Sequence, residues 1–406
     1  SMSKLLLLVS LLFTLYTNCI CAQRNCGTYS HSQEFLQKFP EVKFKTETLK
    51  QKLLLKTNDP ARITIPVVVH IVYSQKNQKF TKAQIRNQIK ILNEDFAGEN
   101  TDITNVPEKF KELIAGDTGI RFKLVAITNT YTQKTAFLKQ GDSIKFSKHG
   151  GHDMGKYLST KYLNIWVGNI IDIIRKGDLF GYASFPWDKE ALTDGVVINS
   201  RYFGTRGNVA NYNKGRTATH EVGHWLGLLH LWGDKEDDSP ICTNDYVDDT
   251  PSQKYSNGEC PEFPKLSECH ETENRELFMN YMDYVFDNCM IMFSRGQKQR
   301  MLANFDNDGL RLGFVDSSKT KIKRNLEFPE ILNYINKTLS WSKVGKTERY
   351  AVKIRTLDNN QIQTYFTKGT SMELPDIDET KLYEITIESS SQTAKSASRP
   401  LIVNPR

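Results

Sequence analysis

The chain is expected to fold as an α+β protein, a mixed β-sheet with one site-bearing helix, followed by a small all-β sandwich. Three observations carry this reading. Residues 65–73 (IPVVVHIVY) form an apolar run rich in β-branched side chains, the pattern of a strand buried on both faces. Residues 220–230 read H-E-x-x-H-x-x-G-x-x-H, a spacing that belongs on a helix. Beyond residue 330 the apolar residues alternate in short, evenly spaced segments, as in a β-sandwich.

The first domain can be followed element by element. After the buried strand, Thr81 caps a helix in which Ile85, Ile89, Leu92 and Phe96 recur at helical spacing. Residues 119–125 alternate as a half-buried strand, and 162–167, 181–185 and 195–198 complete the sheet. His70 lies within a strand and reads as a packed residue rather than a ligand. The His-rich helix follows, then a loop-rich stretch to Cys289 and a short helix over 297–304. The domain is assigned residues 61–316, and the sandwich 325–406. Trp341 on an early strand, with Leu374 and Tyr383 near a late one, looks like a fibronectin type III module; a bacterial C-terminal sorting domain is the alternative.

Composition sets the compartment. With 39% apolar and 25% charged residues the 406-residue chain is globular and long enough for two or three domains. Lys4, the apolar run of residues 5–13 and the small Ala22 make residues 1–22 a secretory signal peptide, too short for a membrane span. No later run is long enough to span, so the product is expected outside the cell. Residues 23–60 are polar and basic and read as an appended pro-segment. Basic residues are otherwise scattered, which argues against nucleic-acid binding. The net charge of +7 hides a tract, residues 234–288, with 15 acidic against 4 basic side chains. Such a tract suits bound calcium, a basic substrate, or both. Of seven cysteines, Cys19 and Cys21 leave with the signal peptide. Cys242, Cys260, Cys269 and Cys289 imply two disulfides in an exported protein, and Cys26 is left over.

The chemistry sits in the 220–230 string. His220 and His224, four residues apart on a helix, can offer nitrogens to one point. Gly227 lets the backbone turn, and the turn returns His230 as a third nitrogen. Three neutral imidazoles with a fourth position open form the ligand set of a catalytic zinc ion. Glu221 can reach a water at that point without being a ligand. At ordinary residue frequencies these fixed positions arise by chance in roughly one in 10⁵ chains of this length.

The string resembles that of the metzincin metallopeptidases, which also carry a methionine turn beneath the metal; Asn280-Tyr281-Met282-Asp283-Tyr284 is similar to it. The wider match, through residues 65–73, 88–96, 162–167, 181–187, 215–234 and 280–297, is to the pappalysin family. The resemblance implies a secreted zinc endopeptidase acting on proteins or peptides, with Glu221 as general base and Tyr284 donating to the oxyanion. It implies Met282 as the structural methionine and cystines Cys242–Cys269 and Cys260–Cys289. Residues 242–251, with Asp245, Asp248, Asp249 and Thr250, are similar to the family's calcium region. Arg24-Asn25-Cys26-Gly27-Thr28 is similar to the segment that keeps such zymogens latent, with the Cys26 thiolate on zinc and the pro-segment as inhibitor. The family often prefers a basic residue just after the scissile bond, which Asp287 would receive, although Phe286 and Met290 beside it favour apolar side chains. The competing reading is a secreted binding or adhesion protein whose peptidase domain is inactive. Loss of activity normally shows as a substituted ligand or glutamate, and His220, Glu221, His224 and His230 are all present.

Overall fold

The computed structural model describes residues 23–52 and 62–404, apart from 175–177, 189, 207–208, 270–274, 307–308, 312–313, 315–328, 346, 348, 376, 391–394 and 399. The signal peptide at 1–22 and the end of the pro-segment lie outside the described residues. The described part of the pro-segment forms two helices, α1 (Thr28–Lys38) and α2 (Lys43–Lys52). These helices are laid on the domains that follow rather than around a core of their own.

The first domain is built on a five-stranded sheet. Strand β1 (Ile63–Tyr73) is followed by α3 (Lys82–Ala97), β2 (Ile120–Tyr131), the short β3 (Phe137–Leu138), β4 (Leu163–Gly168), β5 (Ile170–Ile171), β6 (Gly181–Ala183) and β7 (Val196–Asn199). The order is β2-β1-β4-β7-β6, parallel except for β6, which runs antiparallel to β7 at one edge. The β1–β2 register shifts between Val67 and Val68, leaving Val125 as the extra residue of a bulge. Thr81 caps α3 as expected. Its hydroxyl accepts from the Gln84 N–H while the Gln84 side chain accepts from the Thr81 N–H, and Gly98 closes the helix at φ +65°. Ile85, Ile89, Leu92 and Phe96 are buried against β1 and β2. His70 is a core residue, bonded to Thr128 and Asn164, and burial lowers its pKa to about 3.

The His-rich helix α4 (Arg216–Trp225) is buried along its whole length and is held at both ends. At the start, the Arg216 guanidinium lies 3.1 Å from Asp95 of α3 and 3.0 Å from Asp102, and Thr219 donates to Asp95 at 2.6 Å. At the end, the Arg311 guanidinium carbon stands 3.6 Å from the Trp225 ring centroid, and Arg311 donates to the Trp225 carbonyl and pairs with Asp194. Both ion pairs are buried, where losing one partner typically costs about 3–5 kcal/mol. Helix α5 (Arg295–Leu302) follows the loop-rich stretch.

The C-terminal unit holds β8 (Ile331–Ile335), β9 (Thr338–Trp341), β10 (Arg349–Thr356), β11 (Ile362–Thr367), β12 (Ser371–Glu373), β13 (Tyr383–Ser390), β14 (Lys395–Ala397) and β15 (Leu401–Val403). They form two antiparallel sheets, β12-β9-β8 and β11-β10-β13-β14 with β15 on β13. Their inner faces enclose Trp341, Tyr350, Val352, Ile354, Ile385 and Ile387. Leu158 and Ala191 of the first domain join the same core, and the Ala191 N–H donates to the Ile402 carbonyl.

Candidate active site

Helix α4 brings the imidazoles of His220 and His224 to one point, and the chain then leaves the helix through Gly227 at φ +87°. The turn carries His230 back. Nε2 of His224 lies 3.1 Å from Nε2 of both His220 and His230. Their outer nitrogens are committed elsewhere: Nδ1 of His220 donates to the Tyr281 carbonyl and Nδ1 of His224 to the Leu228 carbonyl, each at 2.7 Å. These bonds aim the Nε2 lone pairs at one another. Burial holds His220 well below the ordinary histidine range and His224 at about 4, so both rings are neutral, the form that binds a metal. Buried imidazole nitrogens at this separation are a donor set that suits a zinc ion.

Beneath the rings lies the turn carrying Met282. A Cβ at Gly223 would stand 2.5 Å from the Met282 sulfur, so the helix can rest on the methionine only because residue 223 is glycine. The turn is fixed by its polar side chains. Asn280 accepts from the Met282 N–H and exchanges two hydrogen bonds with Gln297 of α5. Asp283 accepts from the N–H groups of Tyr284 and Asn257 and from the side chains of Asn257 and Gln253. Disulfides Cys242–Cys269 and Cys260–Cys289 tie down the surrounding loops.

The pro-segment lies across this centre. Cys26 pairs in parallel with Gly181 on the edge strand β6; the Gly27 N–H donates to the Gly181 carbonyl, and the Phe180 N–H to the Asn25 carbonyl. The Cys26 sulfur and the three histidines form a buried cluster whose ligand atoms all lie within 4.8 Å of one another. The Cys26 thiol donates to Glu221 at 3.4 Å, the Thr28 hydroxyl donates to the same oxygen at 3.0 Å, and the Cys26 N–H donates to the Tyr284 hydroxyl at 3.3 Å. Tyr284 also donates to Asp237. Burial pushes the Glu221 carboxyl up to about 8, partly offset by Thr28, Cys26 and Arg24, and burial with Glu221 nearby raises the Cys26 thiol.

Two residues before Cys26, Arg24 fills a pocket. Its guanidinium pairs with Asp287 at 2.6 Å, donates to Thr217 at 3.0 Å and lies 5.5 and 5.3 Å from the ring centroids of Phe180 and Tyr212. The other Asp287 oxygen accepts from the backbone N–H groups of Lys214 and Arg216. Arg24 and Thr28 were read from the sequence only as part of the segment around Cys26, with no role of their own, and Asp237 only as one charge of the acidic tract. Of the calcium-region residues, Asp245 accepts from Thr250 and the Val247 N–H, while Asp249 accepts from Ser294 and the Gly296 N–H at the start of α5. Asp248 and Asp249 line a cavity with Asn244 and Arg295.

Neutral imidazoles converging on one point, a carboxyl group beside them and a methionine turn below define a zinc-dependent metallopeptidase of the metzincin class. Comparison with known proteins gives the same class. The family model described as pregnancy-associated plasma protein-A matches residues 153–306. An extracellular metalloprotease of Arthroderma otae is 30% identical over 297 residues, spanning 70% of this chain and 90% of its own. One from Arthroderma benhamiae is 29% identical over 290 residues, spanning 70% and 84%. Among solved structures, Tannerella forsythia mature mirolysin in complex with a cleaved peptide shares 43% identity at a TM-score of 0.59, over 64% of this chain and 98% of its own. A promirolysin mutant from the same organism shares 40% at 0.64, over 73% and 99%.

The chain belongs to the pappalysin family, that of pregnancy-associated plasma protein-A. It is an extracellular zinc-dependent endopeptidase made as a zymogen.

Glycine at 181 keeps the edge strand close to Glu221: a Cβ there would meet the Val197 carbonyl at 2.8 Å and the Glu221 side chain at 2.9 Å. Gly181→Ala is expected to destabilise the protein by about 1–3 kcal/mol. A chemical-denaturation midpoint equal to that of the parent protein would show that the edge strand yields without cost.

Proposed function

We propose that Glu221 is the general base of this peptidase, held on a helix that offers His220, His224 and His230 to zinc. The observation that carries it is the position of Glu221, hydrogen-bonded to the very side chain, Cys26, that lies at the three-histidine centre. When bound, zinc supplies Lewis acidity to the scissile carbonyl and acidifies the attacking water. Glu221 takes the proton from that water and returns it to the leaving amine. Tyr284, whose hydroxyl meets the backbone of the bound pro-segment, turns that hydroxyl to the oxyanion of a substrate. Asp245, buried with one oxygen lacking a hydrogen-bond partner, and its neighbours Asp248, Asp249 and Thr250 form a calcium site. Glu221→Ala is expected to retain one zinc per chain and lose hydrolysis by at least about 10³-fold. Elemental analysis of the same protein is expected to find calcium beside zinc. Cleavage at the parent rate would remove the general-base role, and a calcium-free protein the second site.

Latency rests on the Cys26 thiolate as a fourth ligand that displaces the water. Its sulfur shares one cluster with the three histidines, and its neighbours Arg24, Gly27 and Thr28 are each bonded into the cleft. Cys26→Ala precursor is expected to mature several-fold faster. Maturation at the unaltered rate would mean that coverage of the cleft, not the sulfur, keeps the enzyme silent.

Arg24 in the Asp287 pocket supports Arg or Lys just after the scissile bond. A buried carboxylate discriminates far better than the screened acids of the surface. Phe286 does not block this pocket; its ring meets Tyr212 edge-on, 5.3 Å away. A substrate with its basic residue there presents the preceding carbonyl to the metal. The pro-segment instead reaches the metal with Cys26, two residues after Arg24, and so runs the opposite way. Peptide-library cleavage with mass-spectrometric mapping is expected to show Arg and Lys enriched after the cut, and Asp287→Ala to abolish the enrichment. Leu, Phe or Met dominating that position in the parent enzyme would refute the acidic-pocket assignment.

A further inference from the structure

The pro-segment is anchored a second time, outside the cleft. Helix α1 ends at Lys38, and the Phe39 N–H closes it by donating to the Phe35 carbonyl before Pro40 starts a short turn of 3₁₀ helix through Val42. The side chains of this corner gather in one apolar cluster with the C-terminal sandwich: Phe35, Leu36, Phe39 and Val42 with Leu357, Leu382 and Ile402. Phe39 and Leu382 are each only 1% exposed, as deep as any core residue. On the sandwich side the three residues come from places already tied together. The Leu357 N–H donates to the Leu382 carbonyl, and Ile402 lies on β15, whose carbonyl accepts from Ala191 of the catalytic domain. Asn404, next to β15, donates its N–H to Glu190. The patch is therefore fixed to the catalytic domain, and none of its three residues touches the zinc centre or the Asp287 pocket.

We infer that the sandwich carries a peptide-binding site, formed by Leu357, Leu382 and Ile402, that takes the pro-segment through its Phe-Leu-x-x-Phe-x-x-Val pattern and serves as a second lock on the latent enzyme. Two anchors, Phe35 and Leu36, come from the last turns of α1, and two, Phe39 and Val42, from the corner that follows, so the patch grips the end of a helix together with the turn beyond it. One peptide held at two sites gains effective concentration: when the cleft end lets go, the sandwich end keeps it nearby to rebind. Cutting the chain after the pro-segment is then not sufficient for activation, because the severed segment stays docked until both ends have come away or it is digested. The sandwich becomes a partner in latency rather than an inert appendage.

The site is tested on the full-length precursor, matured by a trace of active enzyme, with Phe39→Ala, Leu382→Ala and both together followed by gel and by peptide hydrolysis. Each single variant is expected to lose its pro-segment about tenfold faster, the effect of emptying one large apolar contact. The double variant is expected to be no faster than either single one, because both remove the same contact. Phe39 leaves with the pro-segment, so the mature enzyme from Phe39→Ala is the parent enzyme and needs no activity correction. Should Leu382→Ala disturb the sandwich itself, Leu357→Ala takes its place in the cycle. Maturation of Phe39→Ala at the parent rate overturns the proposal. So does a double variant whose acceleration is the product of the two single ones, which would place the two side chains in separate effects. Cys26→Ala, run beside them, acts on the cleft end alone, so a failure of the thiol reading and a failure of this one give different patterns.

Discussion

Three buried imidazoles, with His224 Nε2 3.1 Å from each of the other two, must be aimed at one point, and much of the molecule does the aiming. Each ring is aimed by what surrounds it; for His220 and His224 this is a backbone carbonyl beyond the ring. The helix that bears two of them is clamped by Arg216 at its start and Arg311 at its end, and rests on the Met282 sulfur through the gap left by Gly223. These supports lie in different parts of the chain, from Asp95 to Arg311. The metal centre is therefore a property of the whole catalytic domain rather than of an eleven-residue string.

Burial at the site also creates electrostatic demand that the pro-segment meets. Glu221 and Asp287 are both withdrawn from water, and the pro-segment brings donors to one and a guanidinium to the other. Asp287 does not depend on that guanidinium for its aim, since two backbone N–H groups at the start of α4 hold its second oxygen. The aim of the Asp287 carboxylate is thus set by the catalytic domain itself.

What could be read in advance follows from how local each signal is. The zinc string, the Thr81 cap and the apolar face of α3 are written within a few residues each, and all three stand where the sequence put them. The acidic tract was legible as charge but not as structure. Asp234 pairs with Lys50, Asp237 meets Trp232 and Tyr284, Asp283 is enclosed by Asn257 and Gln253, and Asp287 holds Arg24. Each of these depends on a partner brought in by the fold, and no count of charges reveals such partners. Phe35, Phe39 and Val42 were hidden for the same reason: their apolar partners are more than three hundred residues away, in the sandwich.

The direction of the pro-segment matters beyond the life of the precursor. An edge strand offers the same row of N–H and C=O groups to a chain of either polarity, and β6 accepts Cys26 in parallel. Arg24 and Cys26, with Asn25 between them, reach the Asp287 pocket and the three-histidine cluster together. Arg-Asn-Cys thus fills two neighbouring parts of the cleft at once, a guanidinium against Asp287 and a thiol among the histidines, in the direction set by its parallel pairing with β6. A small molecule that keeps those two groups at that spacing, and replaces the backbone between them, would keep both contacts.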